Sequence, residues 1–298
     1  MLPWLESRYQ QLTALHQQQS FPHAILFSGN RGLGKQTLAK TVAEFLLCHS
    51  EQQPKPCGQC KACHLFQAGH HPDYWQAAEA EGRIGVDSIR QLSRFFHEHA
   101  QQGGARVAVL PQAERMTEAA ANALLKTLEE PPRGGYLLLT SDQPQLLLPT
   151  ILSRCQQWPL AVAEVRQAEL WLQAQTEQVL PDFLRPLISS APLEALQWLQ
   201  QGSVEQASDI LLQLEYYVLD KASLPQTVQM AMKSAQLPML LSWFVRERLP
   251  RLGGYQPQRY WQLLQSFQHW CRDEQQLLGQ NKQLALTALL IELKRIMA

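Results

Sequence analysis

The sequence has no excess of charge of either sign, because 26 lysines and arginines balance 26 aspartates and glutamates. A neutral chain exerts no long-range attraction on nucleic acid, although local basic patches remain open. Long apolar runs are also missing. None approaches the ~18 residues that span a bilayer, and the opening residues, MLPWLESRYQ, lack the pattern of a secretion signal. We therefore expect a cytoplasmic protein with no membrane partner.

Cysteine is scarce outside one short segment. Of six cysteines, four fall between positions 48 and 63. A reducing cytoplasm disfavours disulfides, and four thiolates can surround Zn²⁺ tetrahedrally with no open position for water. We predict a structural zinc site rather than a catalytic one, with four reduced cysteines and no metal as the alternative. The predicted ligands are Cys48, Cys57, Cys60 and Cys63.

A glycine-rich loop follows the first apolar strand. The run HAILFS at 23–28 leads into Gly29–Thr37 and then into a helical stretch, which is the order of a phosphate-binding loop. In such loops backbone N–H groups and a lysine, here Lys35, contact phosphate, and the next residue offers a hydroxyl to Mg²⁺. Gln36 takes that position, and Thr37 lies about 100° further around the helix. The pattern leaves open both a bound nucleotide and an empty or phosphate-filled turn.

A later stretch bears on hydrolysis. RVAVL at 106–110 predicts a buried strand beside this loop, followed by a helix over Thr117–Glu129. In phosphate-loop ATPases this strand delivers an acidic pair, one carboxylate for Mg²⁺ and one for the attacking water. The corner at 111–114 reads PQAE, so we expect negligible ATP hydrolysis. A further apolar strand, YLLLT at 136–140, ends at Thr140. The candidate residues of this degenerate nucleotide site are Gly29, Gly34, Lys35, Thr37 and Thr140.

Four segments carry a resemblance to a known family: HAILFSG, the four-cysteine insertion, ALLKTLEEPP and ILSRC. Together they resemble the AAA+ module of bacterial DNA polymerase III clamp-loader subunits. The resemblance implies an α/β AAA+ module, with a P-loop and a RecA-like parallel sheet, over residues 1–160, carrying the zinc module at 48–63. It also implies a small helical lid at 161–203 and an all-α collar domain for oligomerisation at 204–298.

Within that family the chain is more similar to a subunit without ATPase activity than to the gamma or tau motor subunit. Three departures from the motor pattern support this choice: Gln36, the PQAE corner, and Leu193, where the lid of the motor carries an arginine. The family's SRC motif is present, and it implies that Arg154 is an arginine finger for the ATP of an adjacent subunit. A local ion pair with a carboxylate is the alternative role of Arg154.

The resemblance further implies a hetero-oligomer with gamma or tau and delta subunits and, through the complex, with the sliding clamp and primer-template DNA. We predict a stator that helps load the clamp during replication. The resemblance implies that it is a component of a DNA-directed DNA polymerase complex, and by itself it is predicted to have neither polymerase nor significant ATPase activity. Two rivals remain: an active AAA+ ATPase that uses Lys35, Thr37 and Glu114, and a zinc-dependent DNA-binding module.

Overall fold

The computed structural model describes residues 1–50, 55–77, 82–234, 236–254, 256–276 and 281–297. They form two compact units. The first unit comprises Met1–Gln178 and Leu187–Ala195, and the second comprises Val179–Pro186 and Leu196–Ala298. The three-domain division with boundaries at 160 and 203 stays a prediction. In the described ranges no helix is both long enough and apolar enough to cross a membrane.

The first unit is built on a five-stranded sheet in which every pairing is parallel. The strands are β1 (Ala24–Ser28), β2 (Tyr74–Gln76), β3 (Arg106–Leu110), β4 (Gly135–Ser141) and β5 (Gln156–Pro159). Their order is β2-β3-β4-β1-β5. Strand β4 therefore separates β3 from β1, and the predicted placement of β3 beside the phosphate loop is wrong. The neighbours of β1 are β4 and β5.

Helices cover both faces of this sheet, which is why β1 and β3 are buried along their whole length. Helix α2 packs on β3 and β4 from one side, while α4 and α5 bury Leu92 and Leu124 against Leu26 and Leu110 on the other. The helices up to residue 200 are α1 (Pro3–Gln17), α2 (Lys35–Leu47), α3 (Lys61–Gln67), α4 (Val86–His97), α5 (Glu118–Glu129), α6 (Pro149–Leu152), α7 (Val165–Gln173), α8 (Arg185–Ser190) and α9 (Pro192–Gln200).

Local chemistry sets the bounds of the predicted helix α5. The Thr117 side chain accepts a hydrogen bond from the Ala120 N–H at 3.2 Å and thereby caps the first turn. Pro131 cannot donate a backbone hydrogen bond, so the helix ends at Glu129. The prediction of a helix over this stretch is confirmed, with Thr117 as its cap.

The second unit is helical throughout its described residues. Apolar side chains of its helices, among them Leu214, Leu240, Phe244 and Leu290, are fully buried. The helices are α10 (Ser203–Val218), α11 (Leu224–Ala231), α12 (Leu237–Trp243), a π-helical turn (Phe244–Arg248), α13 (Leu249–Gly253), α14 (Pro257–Gln276) and α15 (Lys282–Met297). The helical character of this region is as predicted, and its role as a collar stays a prediction.

Candidate functional site

The loop between β1 and α2 has the backbone of a phosphate-binding turn. Gly29 has φ 143°, and a Cβ placed there would lie 2.6 Å from the Leu160 carbonyl oxygen, so only glycine fits. Gly34 has φ 86° and directly precedes Lys35, the first residue of α2. The N-terminus of a long helix thus lies at the carboxyl edge of β1, where backbone N–H groups favour an anion.

A cleft of about 540 Å³ lies beside this loop in the first unit. Its volume falls within the roughly 300–1,000 Å³ typical of small-molecule sites. Four of the five predicted nucleotide-site residues line it, and the fifth, Gly29, contributes its carbonyl oxygen to Lys35 instead. The lining residues are Arg31, Gly32, Gly34, Lys35, Gln36, Thr37, Gln112, Arg115, Thr140, Asp142 and Leu193.

The Lys35 ammonium is held by three oxygen atoms of its own chain. It donates to the carbonyl oxygens of Gly29 at 2.7 Å and Asn30 at 2.6 Å. It also forms an ion pair with Asp142 Oδ1 at 2.6 Å. The lysine side chain is 5% exposed and that of Asp142 is 20% exposed, so solvent screens this pair only in part.

The corner after β3 turns its functional groups inward. Gln112 has φ 48°, and its backbone N–H donates to Thr140 Oγ1 at 3.1 Å. Glu114 accepts from the Asp142 N–H at 3.0 Å, and its other carboxylate oxygen is buried without a hydrogen-bond partner. Glu114 is not among the described residues that line the cleft. Its carboxylate therefore supports the backbone rather than facing the cavity.

Sequence reasoning missed Asp142. The acid was sought after β3, but the carboxylate in the cleft follows β4, one residue beyond Ser141. A usable signal was present, because residues just past the carboxyl ends of parallel strands meet at one edge of the sheet. An acid that directly follows an apolar strand was therefore a candidate for this edge.

The segment that contains Leu193 completes the cleft. The backbone N–H of Leu193 donates to the Gly32 carbonyl at 3.0 Å, and Leu193 lines the cleft. An apolar side chain offers no charge to a phosphate group. This agrees with the departure noted at that position in the sequence.

Arg154 lies outside this cleft. It follows α6, with its side chain 35% exposed, and its guanidinium donates to the Thr150 carbonyl at 3.1 Å. It also forms an ion pair with Glu129 at 2.6 Å. The neighbouring Cys155 points into the core, where burial raises the pKa of its thiol to about 12. Arg154 thus lies at the surface next to the buried Cys155. The local ion pair that the sequence analysis gave as the alternative role of Arg154 is present.

The four predicted zinc ligands form one cluster. Their sulfur atoms all lie within 4.8 Å of one another, and Cys57 Sγ lies 4.0 Å from Cys63 Sγ. Four sulfurs at about 2.3 Å from one Zn²⁺ would stand about 3.8 Å apart. The spacing fits a tetrahedral metal site and is far too long for a disulfide. The remaining members are Cys48 and Cys60.

Backbone N–H groups prepare this cluster for anionic sulfur. Those of Gln59 and Cys60 lower the pKa of Cys57 to about 6. Burial acts in the opposite direction at Cys63, where it raises the pKa of the thiol above its usual range. A bound cation would satisfy both, since it allows clustered thiolates to be ionised together.

The cysteine segment is attached to the helices before it. The Tyr9 hydroxyl on α1 donates to the Lys55 carbonyl at 2.7 Å, and burial raises the pKa of Tyr9 to about 12. Gln67 on α3 donates to Glu44 on α2 at 3.0 Å. The cluster is therefore part of the scaffold beside α2 and lies outside the residues that line the cleft.

Comparisons with known proteins identify relatives of this chain. A family model described as DNA polymerase III, delta subunit, matches residues 4–164. DNA polymerase III subunit delta′ of Haemophilus influenzae is 42% identical over 216 residues, which is 72% of this chain and 66% of that protein. The Escherichia coli K12 subunit delta′ is 37% identical over 81% of this chain and 73% of its own length. The E. coli tau subunit is 37% identical over 49% of this chain and 22% of its own length.

The chain therefore spans about two thirds of the H. influenzae relative, and 52% of the corresponding Yersinia pestis protein. Among solved structures, a DNA polymerase III gamma subunit-related protein from Thermotoga maritima has a similar fold. Its TM-score is 0.54 at 18% identity, over 96% of this chain and 99% of that one. This likeness confirms the α/β fold with a parallel sheet.

Proposed function

The chain belongs to the delta prime family of DNA polymerase III subunits, and on this basis we propose that it is the ATPase-deficient stator of a clamp loader. By stator we mean a subunit that offers a fixed surface to its neighbours without a nucleotide cycle of its own. In this proposal Arg154 enters the ATP site of an adjacent gamma or tau subunit. The complex, which also contains delta, then loads the sliding clamp on primed DNA in the cytoplasm.

The observation that carries the proposal is the position of Arg154. Its guanidinium is partly exposed and is not among the described residues that line the chain's own cleft. A planar guanidinium can neutralise charge that develops on a transferred phosphoryl group. Since it does not face its own phosphate loop, its use in a neighbouring site accounts for its exposure.

The chain's own cleft supports the ATPase-deficient part of the proposal. Gln36 offers no hydroxyl to Mg²⁺, and Glu114 supports the backbone of Asp142 instead of facing the cavity. The rival ATPase that uses Lys35, Thr37 and Glu114 would need this carboxylate in the cleft. Sustained hydrolysis by the purified chain, abolished by Lys35→Ala, would favour the rival.

We further propose that the four-cysteine cluster holds a structural Zn²⁺. Cys48, Cys57, Cys60 and Cys63 supply all four positions of a tetrahedral site. No position remains for water, so the ion would stabilise the insertion without taking part in a reaction. Nothing in the cluster's position beside α2 favours a separate zinc-dependent DNA-binding module.

The finger role is tested with Arg154→Ala in a clamp loader reconstituted from purified subunits. Finger-dependent NTPases lose roughly three to five orders of magnitude in rate without the arginine. We expect a loss of that order at the one adjacent ATP site, measured as clamp-stimulated turnover. Arg90→Ala is the matched control, because Arg90 is 67% exposed and its ion pair in the described part of the chain is with Asp87 of the same helix. Unchanged turnover with Arg154→Ala would remove the finger role.

A further inference from the structure

The Lys35 ammonium has three N–H donors, and each has an acceptor within the chain. Gly29 and Asn30 provide carbonyl oxygens at 2.7 and 2.6 Å, and Asp142 provides a carboxylate oxygen at 2.6 Å. The two backbone carbonyls carry no formal charge, so they do not neutralise the ammonium. Only the carboxylate does. Asp142 therefore takes the electrostatic role that a phosphate group has in an occupied loop of this kind.

Asp142 is held in this position by the sheet and by the corner after β3. Ser141, the last residue of β4, pairs in register with Ser28 at the end of β1. The next residue must therefore lie at the mouth of the loop. The backbone N–H of Asp142 donates to Glu114 Oε1 at 3.0 Å, which fixes the turn after β4. The carboxylate is thus pre-positioned rather than freely mobile.

We propose that Asp142 is an internal competitor for the anion site of the phosphate loop, and that this ion pair keeps phosphate groups out of the chain's own cleft. Space does not exclude them, since the cleft measures about 540 Å³. Charge does not exclude them either, since Arg31 and Arg115 line the cavity together with Lys35. The proposal goes beyond the stator role and concerns only the isolated chain.

Competition of this kind has a calculable effect on affinity. An anion binds only those molecules in which Lys35 is free of Asp142, so the apparent dissociation constant rises by the inverse of that fraction. If about one molecule in a hundred has a free lysine, phosphate binds about a hundredfold more weakly than to an unpaired loop. Removal of the carboxylate restores that factor without any change in the loop.

The test is phosphate binding by Asp142→Asn and Asp142→Ser, measured by titration calorimetry with inorganic phosphate and then with pyrophosphate. We expect each variant to bind at least about tenfold more tightly than the original chain, which is about 1.4 kcal/mol. Lys35→Ala added to either variant should abolish the gain. Asp209→Asn is the matched control, because Asp209 is an exposed residue of α10 in the second unit. Equal affinity of the variants and the original chain would overturn the proposal.

The variants leave a nearly buried lysine without its counter-charge, so their folding must be followed as well. Thermal unfolding with and without about 50 mM phosphate answers this, since a ligand that binds only the folded state raises its stability. If both variants unfold alone, phosphate should restore them, and failure to do so would overturn the proposal. None of these measurements involves Arg154, so the stator role and this inference can fail separately.

Discussion

The ion pair between Arg154 and Glu129 gives the sharpest test of how the proposed finger is held in the free chain. A guanidinium that acts on a neighbour's ATP must leave the carboxylate that it contacts at 2.6 Å. Glu129→Gln removes the charge of that partner and keeps the shape of its side chain. We therefore expect this substitution to favour the free arginine.

The size of the effect follows from exposure. Arg154 is 35% exposed and Glu129 is 51% exposed, so their pair belongs to the solvent-screened class, which contributes about 0–1 kcal/mol. A difference of 1 kcal/mol is about a fivefold change in a two-state ratio. Fivefold is a ceiling, because the hydrogen bond from Arg154 to the Thr150 carbonyl remains in the variant. Stability of the isolated chain should change by less than about 1 kcal/mol.

The assay is ATP turnover at the adjacent site in the reconstituted complex, with Glu129→Gln compared against the original chain. We expect up to a fivefold increase, which shrinks as salt is raised because salt screens exposed charges. Glu130→Gln is the matched control, since it changes the next glutamate, which is exposed and whose backbone N–H, unaffected by the substitution, donates to the Lys126 carbonyl. In the presence of Arg154→Ala the Glu129 substitution should have no effect.

One result would refute this reasoning. If Glu129→Gln lowers turnover about tenfold or more relative to Glu130→Gln, about 1.4 kcal/mol of transition-state stabilisation, then the carboxylate orients the finger for catalysis. The contact would then be part of the active arrangement rather than a resting pair.

Two further predictions concern the scaffold. Chelation of the proposed zinc should expose four reactive thiols, and Cys57 should be modified first because its pKa is about 6. Cys155 should stay unreactive because burial raises its pKa to about 12. Thiol titration together with metal analysis checks this, and thiol reactivity unchanged by chelation would contradict it. Burial lowers the pKa of His16 in the folded state, so the unfolded state binds its proton more readily. The contribution of neutral His16 to the free energy of unfolding should therefore be fully present above about pH 6.5 and be lost as the pH drops below it. Urea unfolding should detect a smaller loss of stability at low pH in His16→Gln than in the original chain.

Local patterns predicted most of the first unit correctly. The apolar runs at β1, β3 and β4 are short and bounded, and the glycine loop between β1 and α2 shows in its residue pattern, although the clash that requires glycine at position 29 comes from the distant Leu160 carbonyl. The helix α5 has its cap and its proline stop within the same segment. The cysteine cluster came from spacing alone, since ligands close in sequence are constrained to meet. In each case the residues that give the signal are near neighbours in the chain.

The failures were non-local. Strand order is set by which strands pair. Strand β4 lies next to β1 although 106 residues, 29–134, lie between the end of β1 at Ser28 and the start of β4 at Gly135. The acid of the cleft was therefore sought at Glu114 and found at Asp142. The partner of Arg154 was equally hidden, because Glu129 reaches it only through the packing of α5 against α6.

The division of the chain into two units has a practical meaning for anyone who cuts it. The polypeptide passes from one unit to the other after residues 178, 186 and 195, so the first unit is assembled from two separate lengths of chain. A truncation at 160 or at 178 removes Leu187–Ala195, and with it the Leu193 side chain that forms a wall of the cleft. Ligand-binding measurements on such fragments would be made on a cleft that lacks the wall formed by Leu193. A fragment that keeps residues 1–195 retains every described residue that lines the cleft, but no single proteolytic cut can release both units intact.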